Sequence, residues 1–216
     1  MVEGGIVWGP AAEDLPPPPP LDIDRIITAL NDAGVEYLVI GGVAVLAHGN
    51  LRTTFDIDVI PRSDVENLRR LADALQGLHA RLHGIDPAHV GVDPTDPADL
   101  ALGGNWVLIT DGGRLDIMSA VDGAAPYEQL RARSVPIRSR GFAVVGLDDL
   151  IAMKLAANRD KDRADISALT RLHGESPVAP PPTAGLDREV DCGAWMPLAR
   201  TTCGRRAGHA GRHGRR

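Results

Sequence analysis

The chain has 216 residues, 44% of them apolar and 24% charged, enough for one well-buried core with appendages and short for two full domains. Aromatic residues make up only 3%, so the core rests on Leu, Val, Ile and Ala, and few rings remain for stacking on single-stranded nucleic acid. The net charge of −6 conceals an asymmetry: residues 200–216 hold six Arg and no acid, which leaves −12 on the remainder, a body that argues against sequence-blind coating of nucleic acid.

The first residues carry no basic stretch followed by an apolar one, so no secretion signal is expected. The longest apolar run, Tyr37 to Ala47, is about half of what a membrane span needs. Both cysteines fall late in the chain, and a reducing cytoplasm is the expected location. Pro16 to Pro20 form an unbroken proline run, which is stiff and extended; residues 1–20 read as a flexible leader. A second break lies between Gly174 and Gly185, with Pro177, Pro180, Pro181 and Pro182. The expected organisation is a leader (1–20), one domain (21–173), a Pro-rich linker (174–190) and an Arg/Gly/His tail (191–216).

Within the domain, Asp22 can cap a helix whose Ile23, Ile26, Ile27 and Leu30 keep helical spacing until Gly34. Glu36 to Ile40 reads as a buried strand entering Gly41-Gly42, with a short helix over Val43 to Ala47. Phe55 to Ile60 is a second strand stopped by Pro61, and a helix follows from about Asp64 to Leu75. Asn105 to Thr110 and Arg114 to Met118 make a hairpin through Asp111-Gly112-Gly113. Short strands at Val135 to Ser139 and Phe142 to Val145 precede helices at Leu147 to Ala157 and Arg163 to Leu172. This order predicts an α/β (α+β) domain, a small mixed sheet flanked by helices.

The chemistry concentrates in Phe55-Asp56-Ile57-Asp58-Val59. Alternation on a strand buries Phe55, Ile57 and Val59 together and projects Asp56 and Asp58 from the other face. Two like charges so placed repel unless a cation neutralises them, and Mg²⁺ suits carboxylate and phosphate oxygens. Asp116, flanked by Leu115 and Ile117, faces the same way if its strand lies beside the first. Three carboxylates could then hold two ions about 3.5–4 Å apart and clamp both oxygens of an in-line displacement. The alternative is that all three are the wet faces of half-exposed strands. Gly41 and Gly42 fit a turn whose backbone N–H groups approach a phosphate, or simply a tight strand-to-helix turn.

Ile40-Gly41-Gly42, thirteen intervening residues, and Asp56-Ile57-Asp58-Val59 resemble the signature of DNA polymerase β-type nucleotidyltransferases. The run Tyr37 to Gly49 with Arg52 to Asp58, and the run Gly146 to Lys154 with Arg159 to Asp165, are similar to the small bacterial AbiEii-like or MenT-like toxins. The resemblance implies transfer of a nucleoside monophosphate from an NTP such as ATP to an acceptor hydroxyl, a tRNA or other RNA among the candidates and a small molecule or protein the alternative. It implies Asp56 and Asp58 as metal ligands, Asp116 as third carboxylate or base, Lys154 at the triphosphate, and Arg52 and Thr53 as phosphate ligands. Lys161 and Asp162 would organise the site. It further implies a cognate antitoxin as partner. Many members carry Ser after the glycine; here Val43 stands there, so backbone N–H groups or Thr53 would take over.

In the tail, Cys192, Cys203, His209 and His213 are spaced Cys-x10-Cys-x5-His-x3-His. The His pair has zinc-finger spacing and the Cys pair is far wider than usual. The segment reads either as a zinc knuckle able to present RNA or as an extension with incidental cysteines. A non-catalytic NTP- or nucleic-acid-binding module is the competing class for the whole chain.

Overall fold

The structure, a computed structural model, describes residues 17–84 and 91–174. Asp22 caps helix α1 (Ile23–Asp32), its carboxylate accepting from the Arg25 N–H, which satisfies one of the helix's orphan donors. Ile26, Ile27 and Leu30 form its buried stripe. Strand β1 (Tyr37–Ile40) is buried along its whole length and runs directly into helix α2 (Gly41–Ala47). The helix therefore takes in both glycines, two residues earlier than the apolar run suggested.

Strand β2 (Asp56–Pro61) pairs antiparallel with β1, from Ile40 opposite Asp58 to Tyr37 opposite Pro61. Phe55, expected in the core, is instead 79% exposed. Pairing of β2 with its other neighbour, β5, starts only at Asp56, opposite Arg114, so Phe55 stays in the approaching loop and alternation does not govern it. Helix α3 (Val65–Gly77) is capped by Asp64, which accepts from the Asn67 N–H. Strand β3 (Arg81–Leu82) and helix α4 (Pro97–Ala101) follow, neither foreseen: two and five residues carry no periodicity to read.

Strands β4 (Asn105–Thr110) and β5 (Gly113–Met118) form the expected hairpin, with Thr110 opposite Gly113. Gly113, at φ +93°, belongs to the strand, so the connection is the two-residue Asp111-Gly112. Helix α5 (Tyr127–Arg133) precedes strands β6 (Val135–Ile137) and β7 (Phe142–Val144). Helix α6 (Leu147–Ala157) ends at Asn158 in the left-handed region. Helix α7 (Asp160–His173) starts three residues before the expected Arg163, because Arg159 and Asp162 close a reciprocal cap over its first turn.

The seven strands form one mixed sheet in the order β3-β4-β5-β2-β1-β7-β6. The central contacts are β1 antiparallel to β2 and β2 parallel to β5. Leu38, Val39, Ile57, Val59, Leu115 and Ile117 are almost wholly buried on these strands, packed with Ile26, Leu30, Leu71 and Leu75 of the helices. A rigid centre of this kind fixes side chains on β2 and β5 to a fraction of their rotamer freedom. Among the described residues no helix is long and apolar enough to cross a membrane.

Candidate functional site

The parallel register of β2 and β5 sets Asp56 opposite Arg114 and Asp58 opposite Asp116. Ile57 and Val59 are fully buried, so the acids between them turn to the other face. Asp56, Asp58 and Asp116 each bring a carboxylate oxygen within 4.8 Å of the others, the one such group of His, Cys, Asp or Glu among the described residues. Burial, and then the charges of Asp56 and Asp116, push Asp58 up to about 6; the Gly42 N–H and the charge of Lys161 pull the other way.

The glycine turn is fitted to this cluster. Gly41 has φ +60°, and a Cβ there would overlap the Asp58 carboxylate; a side chain is excluded by backbone and by space. A Cβ on Gly42 would lie 2.9 Å from Thr54 Cβ, overlap its hydroxyl, and come 3.3 Å from Arg52 Nη2. The loop of residues 48–55 thus folds back onto the turn.

That loop holds the phosphate-ligand candidates differently from one another. Thr53 is exposed, and its carbonyl accepts from Arg52 Nη1. The hydroxyl beside the acids is its neighbour's: Thr54 Oγ1 donates to Asp56 Oδ1 at 3.1 Å. Arg52 forks onto Asp165, Nε to Oδ1 at 2.8 Å and Nη2 to Oδ2 at 3.2 Å. Lys154, only 5% exposed, lies between two buried carboxylates, with Nζ 3.1 Å from Asp162 Oδ1 and 2.7 Å from Asp165 Oδ2. Burial acts to raise Asp162, and the hydrogen bonds from Arg159 and Lys154 outweigh it and hold the group below the usual carboxylate range. The lysine whose charge reaches Asp58 is the exposed Lys161.

Arg114 was not singled out from the sequence. Its guanidinium forks onto Asp116, Nε to Oδ1 at 3.0 Å and Nη2 to Oδ2 at 2.8 Å. The hydrogen bond to Asp116, assisted by the charges of Asp56 and Asp58, raises it further above an ordinary arginine. Its signal was present: Arg114 precedes Asp116 by two on a strand and so shares its face. Thr54 had none beyond adjacency to Thr53. Cys192, Cys203, His209 and His213, the candidate zinc ligands, lie outside the described residues.

Away from the acids, a cleft of about 350 Å³ opens at the other end of β1, lined by Asn31, Tyr37, Tyr127 and Arg131 among others. It contains none of the three carboxylates, and its buried Tyr37 hydroxyl is already bonded to Asn31 Oδ1 at 3.0 Å. The cleft and the acidic face of β2 and β5 are therefore separate features.

Three solved structures are similar to this chain at low identity. The antibiotic-resistance factor ANT(2'')-Ia is 15% identical with a TM-score of 0.47, over 69% of this chain and 81% of that one. An antigenic nucleotidyltransferase-like protein from Paracoccidioides brasiliensis is 16% identical, TM-score 0.39, over 71% and 79%. TM1012 of Thermotoga maritima, a candidate nucleotidyltransferase, is 15% identical, TM-score 0.40, over 68% and 89%. No curated protein matches the sequence. The family model described as nucleotidyltransferase of unknown function (DUF6036) matches residues 21–173, a span that includes every strand and helix described above, and the chain belongs to that nucleotidyltransferase family.

Proposed function

We propose that the chain transfers a nucleoside monophosphate from an NTP to the hydroxyl of an RNA, a tRNA end above all, in a Mg²⁺-dependent reaction. The observation that carries this reading is the meeting of Asp56, Asp58 and Asp116 beside the Gly41-Gly42 turn. The donor set fits a hard dication: all three groups offer carboxylate oxygens, and Asp58 bears a like-charge burden that a cation would relieve. Bound there, Mg²⁺, as one ion or two, supplies charge neutralisation to the triphosphate and to the attacking and leaving oxygens.

The protein's own groups divide the remaining work. Gly41 and Gly42 keep Cβ atoms away from the turn, so phosphate oxygens can approach the backbone. Arg52 and Lys161 meet the triphosphate, with Thr53 beside them, and Lys154 acts on it by fixing Arg52 through Asp165. The acceptor oxygen forms its bond to the α-phosphorus as the bond to the bridging oxygen of the β-phosphate breaks. Pyrophosphate leaves toward these cations, and the hydroxyl proton passes to Asp116.

The charges of Arg114, Arg159 and Lys161 all reach the acidic face, which favours an anionic acceptor over a polycationic one. A zinc ion held by Cys192, Cys203, His209 and His213 of the basic tail is part of the same reading. The resemblance to AbiEii-like and MenT-like proteins supports the further reading of a cytoplasmic toxin restrained by a cognate antitoxin.

Incubation with Mg²⁺ and each labelled NTP, in the presence of total RNA, tests the reading. Label is expected in RNA, and in none with Asp56→Ala/Asp58→Ala. Label in a small molecule or protein would replace the acceptor; equal labelling by the double variant would remove the site. Purified protein without stoichiometric zinc would retire the knuckle.

A further inference from the structure

Two parallel strands place four charged groups on one face: Asp56 beside Arg114, and Asp58 beside Asp116. Three are the acids already discussed. The fourth is a base whose side chain is 36% exposed while that of its partner is 9% exposed. Both Asp116 oxygens accept from the same guanidinium, at 3.0 and 2.8 Å. A fork of this kind engages one lone pair on each oxygen in the carboxylate plane, the positions from which a cation would also be held.

The pair is a poor candidate for a purely structural bridge. Arg133 and Asp149 tie helix α5 to helix α6, and Arg52 and Asp165 tie the 48–55 loop to α7. Arg114 and Asp116 are two residues apart on one strand, so their contact adds no connection between elements. Among the described residues Asp116 is the one side-chain partner given to Arg114. Partly exposed ion pairs contribute little to stability. What the arginine does change is the charge of the cluster, from −3 to −2.

We propose that Arg114 is a resident counter-ion of the acidic cluster, competing with a divalent cation for Asp116 and released by it. The inference rests on reading that cluster as the cation site. Competition is reciprocal: whatever factor Arg114 takes from cation affinity, the cation takes from the Arg114 fork. Freed, the guanidinium remains on the same strand face with a planar pair of donors, the shape that suits a phosphate oxygen pair. Arg114 is thus a positioning residue that hands its charge from Asp116 to an anionic substrate once a cation has arrived.

Metal-stripped protein titrated with Mn²⁺, with free Mn²⁺ followed by electron paramagnetic resonance, tests this without any transfer reaction. Arg114→Met is expected to bind Mn²⁺ roughly tenfold more tightly than the parent, although its metal-free form is no more stable. Arg114→Lys keeps the charge and loses the fork, and should fall between the two; it carries the test alone if the Met variant does not fold. Unchanged or weaker Mn²⁺ binding in these variants overturns the proposal while leaving the cation site standing. If the parent protein binds no Mn²⁺ that Asp56→Ala/Asp58→Ala abolishes, the cation site falls and the counter-ion role with it.

Discussion

Lys154 and Arg52 meet on one buried carboxylate: Asp165 accepts from Lys154 Nζ at 2.7 Å and from Arg52 Nε at 2.8 Å. Removing the lysine leaves Asp162 and Asp165, both almost wholly buried, short of a partner. Lys154→Met should therefore cost about 3–5 kcal/mol, read as a fall in the urea midpoint. Asp165→Asn keeps the shape and frees Arg52. It should raise KM for the NTP more than it lowers kcat, and a kcat-only effect would separate Arg52 from the triphosphate.

Gly41 tests the fit between turn and acid. At φ +60° an L-residue costs about 1–2 kcal/mol, and its Cβ would displace the Asp58 carboxylate. Gly41→Ala should lower the transfer rate on the order of 100-fold, since displacements near 1 Å cost that much. It should also shrink the rise in Tm that Mg²⁺ produces. Gly77, the last residue of α3, has nothing within 4 Å of a Cβ. Gly77→Ala should leave activity intact and gain up to about 1 kcal/mol.

Asp58 gives the metal-free protein a pH dependence of definite sign. Its folded value, about 6, lies above its unfolded one, so the folded state holds the proton more tightly. The associated stability is present below the unfolded pKa, near 4, and is lost as pH rises through about 6. Asp58→Asn should consequently stabilise the metal-free protein more at pH 7.5 than at pH 4.5, by on the order of 2 kcal/mol after allowance for partial solvation. Thermal denaturation in chelator at the two pH values checks this; an equal gain at both would sink it.

Phe55 and Ile57 are two residues apart and differ completely in surroundings, 79% and 0% exposed. Phe55→Ser should change stability by less than about 0.5 kcal/mol. Ile57→Ala should cost about 2–5 kcal/mol through the cavity it leaves between the sheet and its helices. Chemical denaturation of both variants distinguishes them directly.

The elements that sequence reading located were those with a strong local rule. Asp22 and Asp64 cap the helices they precede, and Asp111-Gly112 closes the hairpin, because capping and turn chemistry are decided within four residues. Alternation put Asp56 and Asp58 on one face of their strand and Asp116 on one face of its own; that β5 lies beside β2 and brings the three together is a matter of sheet order. What alternation could not supply was partnership. Whether Lys154 faces solvent or two buried acids depends on how α6 packs on α7; the resemblance marked Asp162, but not as a partner of Lys154, and gave Asp165 no role. Phe55 failed because a strand's first residue is fixed by its neighbour β5, not by its own pattern. Thr54 became the hydroxyl of the site only once the loop folded back over Gly42.

The register of β2 against β5 also sets where this chain can tolerate a change in length. One residue inserted within Asp56–Pro61 would turn Ile57 and Val59 outward and send the aspartates into the core. The stretch from His48 to Phe55, by contrast, ends at an exposed phenylalanine and is held to α7 through the Arg52 fork onto Asp165 and the contact of the His173 ring with the His48 carbonyl. Lengthening it would leave the strand frame intact while reshaping the wall beside the acids. Changes in what this face can accommodate are thus most readily gained by loop insertion ahead of β2, without renegotiating the core.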